Sequence, residues 1–314
     1  RQPRERLDFD LVSAPRARAT REANEALARA ARPHLDRLAR AIEQTRYFAI
    51  LTNAQGIVVD AQGPIDRQDR RALLITRVGV DLSEAAVGTT AIGAALTELS
   101  PVWLHRGEHY FRDTGDYSCA GAPIIGPDGR CAGMLDLTGI DAPERPELRH
   151  LVTHFARGIE NALLLAQAHS MLLRLSWPGR SGGDDDGLVA VDPDGRLVGA
   201  NPSARAMLGP ASSGPRAHLE DLFAMKSDLL FDAARAGTGG TMEVPLWSGL
   251  RLEVRPIDAR SGRNRRGLPP VGAMEETTPL KDVEDALIRR AVDAARGNIA
   301  EAAKALGISR ATVY

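Results

Sequence analysis

The chain of 314 residues holds two cysteines, Cys119 and Cys131. A pair of thiols can form a disulfide, sense an oxidant singly, or carry reductase chemistry. Their spacing bears on that choice. Both lie in SCAGAPIIGPDGRCAGMLDLTG (118–139), where Gly126-Pro127-Asp128-Gly129 reads as a turn between two strands. A turn centred on Pro127-Asp128 pairs positions whose numbers sum to about 255, so Cys119 faces position 136 and Cys131 faces position 124. The two thiols are then offset by about 16 Å along the strands. A disulfide needs Cα atoms within about 7 Å, so an intramolecular bridge is not expected. Single-thiol sensing, an inter-subunit bridge and two plain buried thiols stay open. His105 and His109 have the i, i+4 spacing of a helical metal pair, but Gly107 between them reads as loop. No metal and no other cofactor is expected. Trp103, His109, Tyr110, Phe111, Tyr117 and Cys119 gather near these thiols. They read as the lining of a mostly apolar pocket suited to a small alcohol, ketone or aromatic compound, or else as core filling.

A second constellation closes the chain. In IAEAAKALGISRATVY (299–314), counting from Ile299, Ala303 is fifth, Gly307 ninth and Val313 fifteenth. A helix-turn-helix needs a small residue at the fifth position, where its helices cross. It needs a residue tolerant of positive φ at the ninth and an apolar core residue at the fifteenth. Ser309 can cap the second helix. Ser309, Arg310, Thr312 and Tyr314 then fall at the groove-facing start of a recognition helix. One such helix reads one half-site, so a homodimer on a palindromic promoter site is expected.

These residues need elements to hold them. Residues 17–45 read as helical, with Pro33 marking a break or a new first turn, and 1–32 is taken as an N-terminal helical segment. YFAILTN (47–53) and IVVDAQG (57–63) read as a hairpin, and residues 33–165 as a sheet module bracketed by helices. Residues 147–176 read as one connecting or dimerising helix, roughly 45 Å long. A linker, SWPGRSGGDDDG (176–187), leads to a second mixed module at 187–259. A locally basic Arg/Gly/Pro-rich linker (260–278) precedes the terminal helices at 279–314.

Composition sets limits. With 40 basic and 41 acidic residues the net charge is −1, so contact with nucleic acid must come from a local patch. At 43% hydrophobic and 26% charged the balance is globular. Two cysteines exclude a disulfide scaffold and a four-cysteine metal site. No apolar run approaches the roughly 20 residues that span a bilayer, and no secretory leader is visible. A cytoplasmic protein without membrane contact is expected. The dipeptide Gly-Lys is absent, which excludes a P-loop within this sequence.

GVDLSEAAVGTTAIGAAL (79–96), HRGEHYF (105–111), the 118–139 segment and GLVAVDPDGRLVGANPSARAMLG (187–209) occur in this order. Together they resemble the GAF and PAS domains of the acetoin catabolism regulator family, and 279–314 resembles that family's Fis-type DNA-binding domain. The resemblance covers nearly the whole chain from about Pro33. It implies an α+β multidomain protein with a GAF sensor at 33–165, a PAS-like domain at 187–259 and an all-α Fis-type helix-turn-helix. It implies a transcription regulator, not an enzyme, whose partners are DNA, a small-molecule effector, RNA polymerase and a second copy. Two positions depart from the family pattern, Leu82 where Trp is usual and Thr90 where Asn is usual. The family also carries a sigma-54-contacting ATPase between the PAS and Fis-type domains. Here only about 20 residues stand in that place, so regulation without ATP hydrolysis is expected. The family pattern continues past Tyr314, which implies a truncated recognition helix. Two rival readings are a redox- or ligand-sensing dimeric scaffold that does not bind DNA, and a GAF-fold methionine sulfoxide reductase.

Overall fold

The computed structural model describes residues 12–258 apart from 181, 184, 214–216, 238 and 239, and then 288, 289, 291, 292, 295 and 297–306. Its contacts divide the chain into two compact units. One comprises Arg1–Ile124, Cys131–Ile159 and Met274–Tyr314, the other Ile125–Arg130 and Glu160–Ala273.

In the first unit, α1 (Ala14–Ala23) and α2 (Glu25–Ala41) meet at Asn24, whose N–H and side-chain amide both donate to the Thr20 carbonyl. Pro33 lies inside α2. The break therefore falls at Asn24, and the boundary expected at 32/33 cuts one helix. Leu27, Ala31, Leu35, Leu38 and Ala41 bury the inner face of α2 at spacings of three and four. The strands are β1 (Tyr47–Asn53), β2 (Val58–Gln62), β3 (Val102–His105), β4 (Tyr117–Ile125) and β5 (Cys131–Ile140), in the order β2-β1-β5-β4-β3. The pairs β1–β2, β1–β5 and β3–β4 are antiparallel. Between β2 and β3 come α3 (Arg70–Ile75), α4 (Glu84–Val87) and α5 (Ala91–Glu98). Phe48 and Ile50 face these helices, while α2 packs on β1 and β2. Both faces of the sheet are thus covered. The loop between β4 and β5 closes with Gly126 N–H donating to Arg130 O (2.7 Å) and Gly129 at φ +84°. That is a three-residue loop with a left-handed glycine, and the strand register shifts by one from the expected two-residue turn.

Helix α6 (Leu148–Leu165) ends well before 176. Residues 171–176, expected to finish a long helix, form strand β6 (Met171–Ser176). The helix is roughly 27 Å long. MLLRLS misleads because both faces of β6 are buried. Met171, Leu173 and Leu175 join one core cluster while Leu172 joins another. A strand buried on both faces shows no alternation, so its apolar run is not distinguishable from helix by period.

β6 is the middle of the second sheet, whose order is β8-β7-β6-β10-β9, with β7 (Gly187–Val191), β8 (Leu197–Ala200), β9 (Met242–Pro245) and β10 (Arg251–Asp258). The second module therefore needs residues N-terminal to 187. Helices α7 (Pro202–Leu208), α8 (Leu219–Leu222) and α9 (Ser227–Ala236) complete this unit. Asn201 caps α7 by accepting from Ala204 N–H (2.8 Å), accepts from Leu188 N–H (2.9 Å) and donates to Asn161 (2.9 Å). Asp186 is buried and takes Arg174 Nε at 2.6 Å, so it is not a solvated linker residue.

The last described helix is α10 (Ile299–Leu306). Asn298 Oδ1 accepts from Ala300 and Glu301 N–H, and Ala302 and Ala303 are buried. The 260–278 linker and Ser309, Arg310, Thr312 and Tyr314 lie outside the described residues.

Candidate ligand site

The first unit holds a partly open cavity of about 40 Å³. One water needs about 10–15 Å³ on the same measure, so the space suits a molecule of a few heavy atoms. Apolar walls come from Ile50 on β1, Ile75 on α3, Leu82, Val87 on α4 and Ile92 on α5. Thr90, His109, Thr114, Tyr117, Cys119 and Thr138 complete the lining.

The loop between β3 and β4 carries His109. Glu108 takes the His105 N–H at 2.6 Å, and His105 Nδ1 meets Ser118 Oγ on β4 at 2.8 Å. Arg106 sits in the left-handed region at φ 47°, a strained place for a side-chain-bearing residue. Its carbonyl accepts from His109 Nδ1 at 2.9 Å. On the other side, Tyr110 N–H donates to Thr89 O (3.3 Å) and Gly88 lets the Phe111 ring close in. Burial pushes the His109 pKa below its ordinary value, so the ring is neutral. The proton on Nδ1 is fixed by the carbonyl, which leaves Nε2 with a bare lone pair. Among the described residues, buried His109 Nε2 has no partner.

Strand β5 supplies the opposite wall. The Thr138 hydroxyl donates to Asp136 Oδ2, and Cys119 Sγ lies 3.6 Å from Thr138 Oγ1. With the Thr138 proton committed, the thiol is the donor of that pair. Asp136 is fully buried, and burial pushes its carboxyl up to about 7. Burial first, and Asp136 second, raise the Cys119 thiol well above its ordinary value, so it stays protonated and a weak nucleophile. Cys119 and Cys131 are both free.

Of the six side chains expected in the pocket, His109, Tyr117 and Cys119 line the cavity. Trp103 does not. Val102 and Leu104 pack toward the cavity cluster, so the intervening Trp103 points to the other face, beside Tyr47 and His105. Tyr110 and Phe111 pack edge to face at 5.1 Å and support the loop from behind. Thr114, Thr138 and Asp136 carry no such signal in the motifs. The available signal was Asp136-x-Thr138, two polar residues on one face of an otherwise apolar strand. Leu82 and Thr90, the two departures from the family pattern, both line the cavity.

An Arg71 cluster anchors the roof. Its guanidinium reaches Asp69 (2.9 Å), Asp116 (2.8 Å) and Asp141 (2.8 Å), tying α3 to the ends of β4 and β5. Among the described residues, no group of three or more His, Cys, Asp or Glu is placed to hold a metal ion, and no helix is long and apolar enough to cross a membrane.

Comparison with known proteins adds the family. Residues 279–314 match the Bacterial regulatory protein, Fis family model. The chain is 31% identical over 232 residues to the acetoin catabolism regulatory protein of Cupriavidus necator, covering 71% of this chain and 34% of that protein. It is 36% identical over 115 residues to the propane 2-monooxygenase operon transcriptional activator MimR of Mycolicibacterium smegmatis, covering 36% of this chain and 20% of that protein. The chain therefore spans about a third or less of the length of these relatives. Among solved structures, the E. coli DhaR(N)–DhaL complex aligns at 13% identity and a TM-score of 0.47, over 81% of this chain and 93% of that one. Residues 3–160, half of the chain, match the model for the N-terminal domain of MimR, and the chain belongs to that family.

Proposed function

We propose that this chain is an effector-responsive transcription regulator. The observation that carries the reading is the cavity in the first unit, lined by apolar side chains and a few polar residues, in a chain whose residues 279–314 match a Fis-family DNA-binding model. The sensor of 33–165 is a GAF domain and the module at 187–259, extended back to β6, is PAS-like. The terminal helix-turn-helix reads a palindromic promoter site as a homodimer, with Ser309, Arg310, Thr312 and Tyr314 toward the groove. Effector binding shifts the population of dimer conformers that fit the two half-sites, and so alters contact with RNA polymerase. The relatives' roles in gene regulation support this class of activity.

The test is a gel shift on promoter fragments, with Arg310→Ala as control. Affinity should fall steeply with salt and drop in the variant. Salt-independent retention, or equal binding by the variant, would sink the reading.

A further inference from the structure

The start of α6 and the whole of α10 belong to the same compact unit as the cavity. His150, in the first turn of α6, joins the two helices: its Nε2 donates to the Leu306 carbonyl at the end of α10. Burial lowers the His150 pKa, so the ring is neutral. A carbonyl only accepts, so the single ring N–H lies on Nε2. Leu306 is the last residue of its helix, and its carbonyl is one of those that a helix end leaves without an intrahelical partner. His150 thus caps α10 from another helix. Ala302 and Ala303 are buried, so α10 is packed and not a frayed end.

Leu306 stands one residue before the Gly307 turn and three before Ser309, where the groove-facing helix is expected to begin. Three residues reach at most about 11 Å. A recognition helix meets base edges with its N-terminal residues. The major groove is about 12 Å wide and admits one helix, not a second beside it. A duplex seated on the reader therefore needs the space that α6 takes while His150 holds Leu306. We infer that His150 holds the DNA reader against the sensor helix α6 in a form that excludes DNA, and that the His150–Leu306 bond must break before a duplex binds. This restraint goes beyond the proposed function and rests on its DNA-reading part.

The test uses the full chain and fluorescein-labelled promoter fragments, with affinity read by anisotropy at several salt concentrations. His150→Ala should bind about two- to tenfold more tightly than the unaltered chain, the range that one hydrogen bond supplies. His150→Gln, whose amide can also donate to Leu306, should stay closer to the unaltered chain. Nitrogen-15 NMR of the histidine rings gives a reading that needs no variant. At DNA saturation the His150 Nε2 resonance should move, and its proton should exchange faster with solvent. If the alanine variant does not fold, the NMR reading decides alone. Salt-dependent binding that is equal or weaker in His150→Ala overturns the restraint and leaves the DNA reader intact. An unmoved His150 resonance at saturation does the same. If neither chain binds in a salt-dependent way, the DNA-reading itself fails, and the restraint with it.

Discussion

The ring of His34 lies directly over Gly158. A Cβ at position 158 would stand 2.5 Å from both Cε1 and Nδ1 of that ring. This is how α2 and α6 approach closely. Nδ1 of His34 also accepts from the Arg37 guanidinium at 2.9 Å, which fixes the ring as neutral. Gly158→Ala should therefore destabilise the protein by about 1–3 kcal/mol through overpacking, despite the better helix propensity of alanine. Chemical denaturation of the variant measures this. Unchanged or raised stability would show that the His34 ring moves aside freely.

Acid stability separates two buried groups. Burial first, then the charges of Arg37 and His154, lower His34 from 6.5 to about 4. Between those values the unfolded chain holds a proton that the folded chain lacks, so this contribution is lost as pH falls from about 6.5 to about 4. Asp136 is raised from 3.8 to about 7, and over that window the folded chain holds the extra proton, so stability falls as pH rises. The two slopes oppose each other. Asp136→Asn should steepen the loss of stability in acid, and His34→Gln should flatten or reverse it. Unfolding curves at pH 4, 5, 6 and 7 on both variants check the signs. Parallel pH profiles for the two variants would contradict the assignment.

Leu82 and Thr90 line the cavity at the positions where the chain departs from the acetoin-regulator pattern. Leu82→Trp should fill the space. The expected result is a stability cost of about 1–3 kcal/mol as the ring overpacks, read by chemical denaturation. Unchanged stability would mean that the indole points away from the cavity.

In the second unit, the Asn201 side chain serves four partners at once: the α7 N-terminus, the Leu188 N–H, Asn161 and the Asp186 carbonyl. Asn201→Ala leaves buried donors unpaired and removes a cap. A loss of about 2–4 kcal/mol is expected, read by thermal unfolding. A loss below about 1 kcal/mol would show that neighbours or water replace all four bonds.

Much of the fold was legible in the sequence because its signals are local. The 47–53 and 57–63 hairpin, the glycine turn at 126–129 and the helix beginning at Ile299 each announce themselves by period or turn chemistry. β6 did not, because burial on both faces erases the alternation that marks a strand. The site divided in the same way. Residue type alone puts His109, Tyr117 and Cys119 beside the cavity, but not the face on which Trp103 lies, since parity along β3 depends on which side Val102 and Leu104 bury. Thr138 escaped notice because its role depends on a hydrogen bond to Asp136 that only tertiary contact reveals.

The place of β6 in the second sheet bears on how the protein can be dissected. A fragment beginning at Gly187, where the second module seemed to start, would lack the strand that joins β7 to β10. Both would then expose long apolar edges with unpaired amides, the pattern that drives strand-to-strand aggregation. A fragment beginning before Met171 should remain monodisperse in size-exclusion chromatography, and one beginning at Gly187 should precipitate.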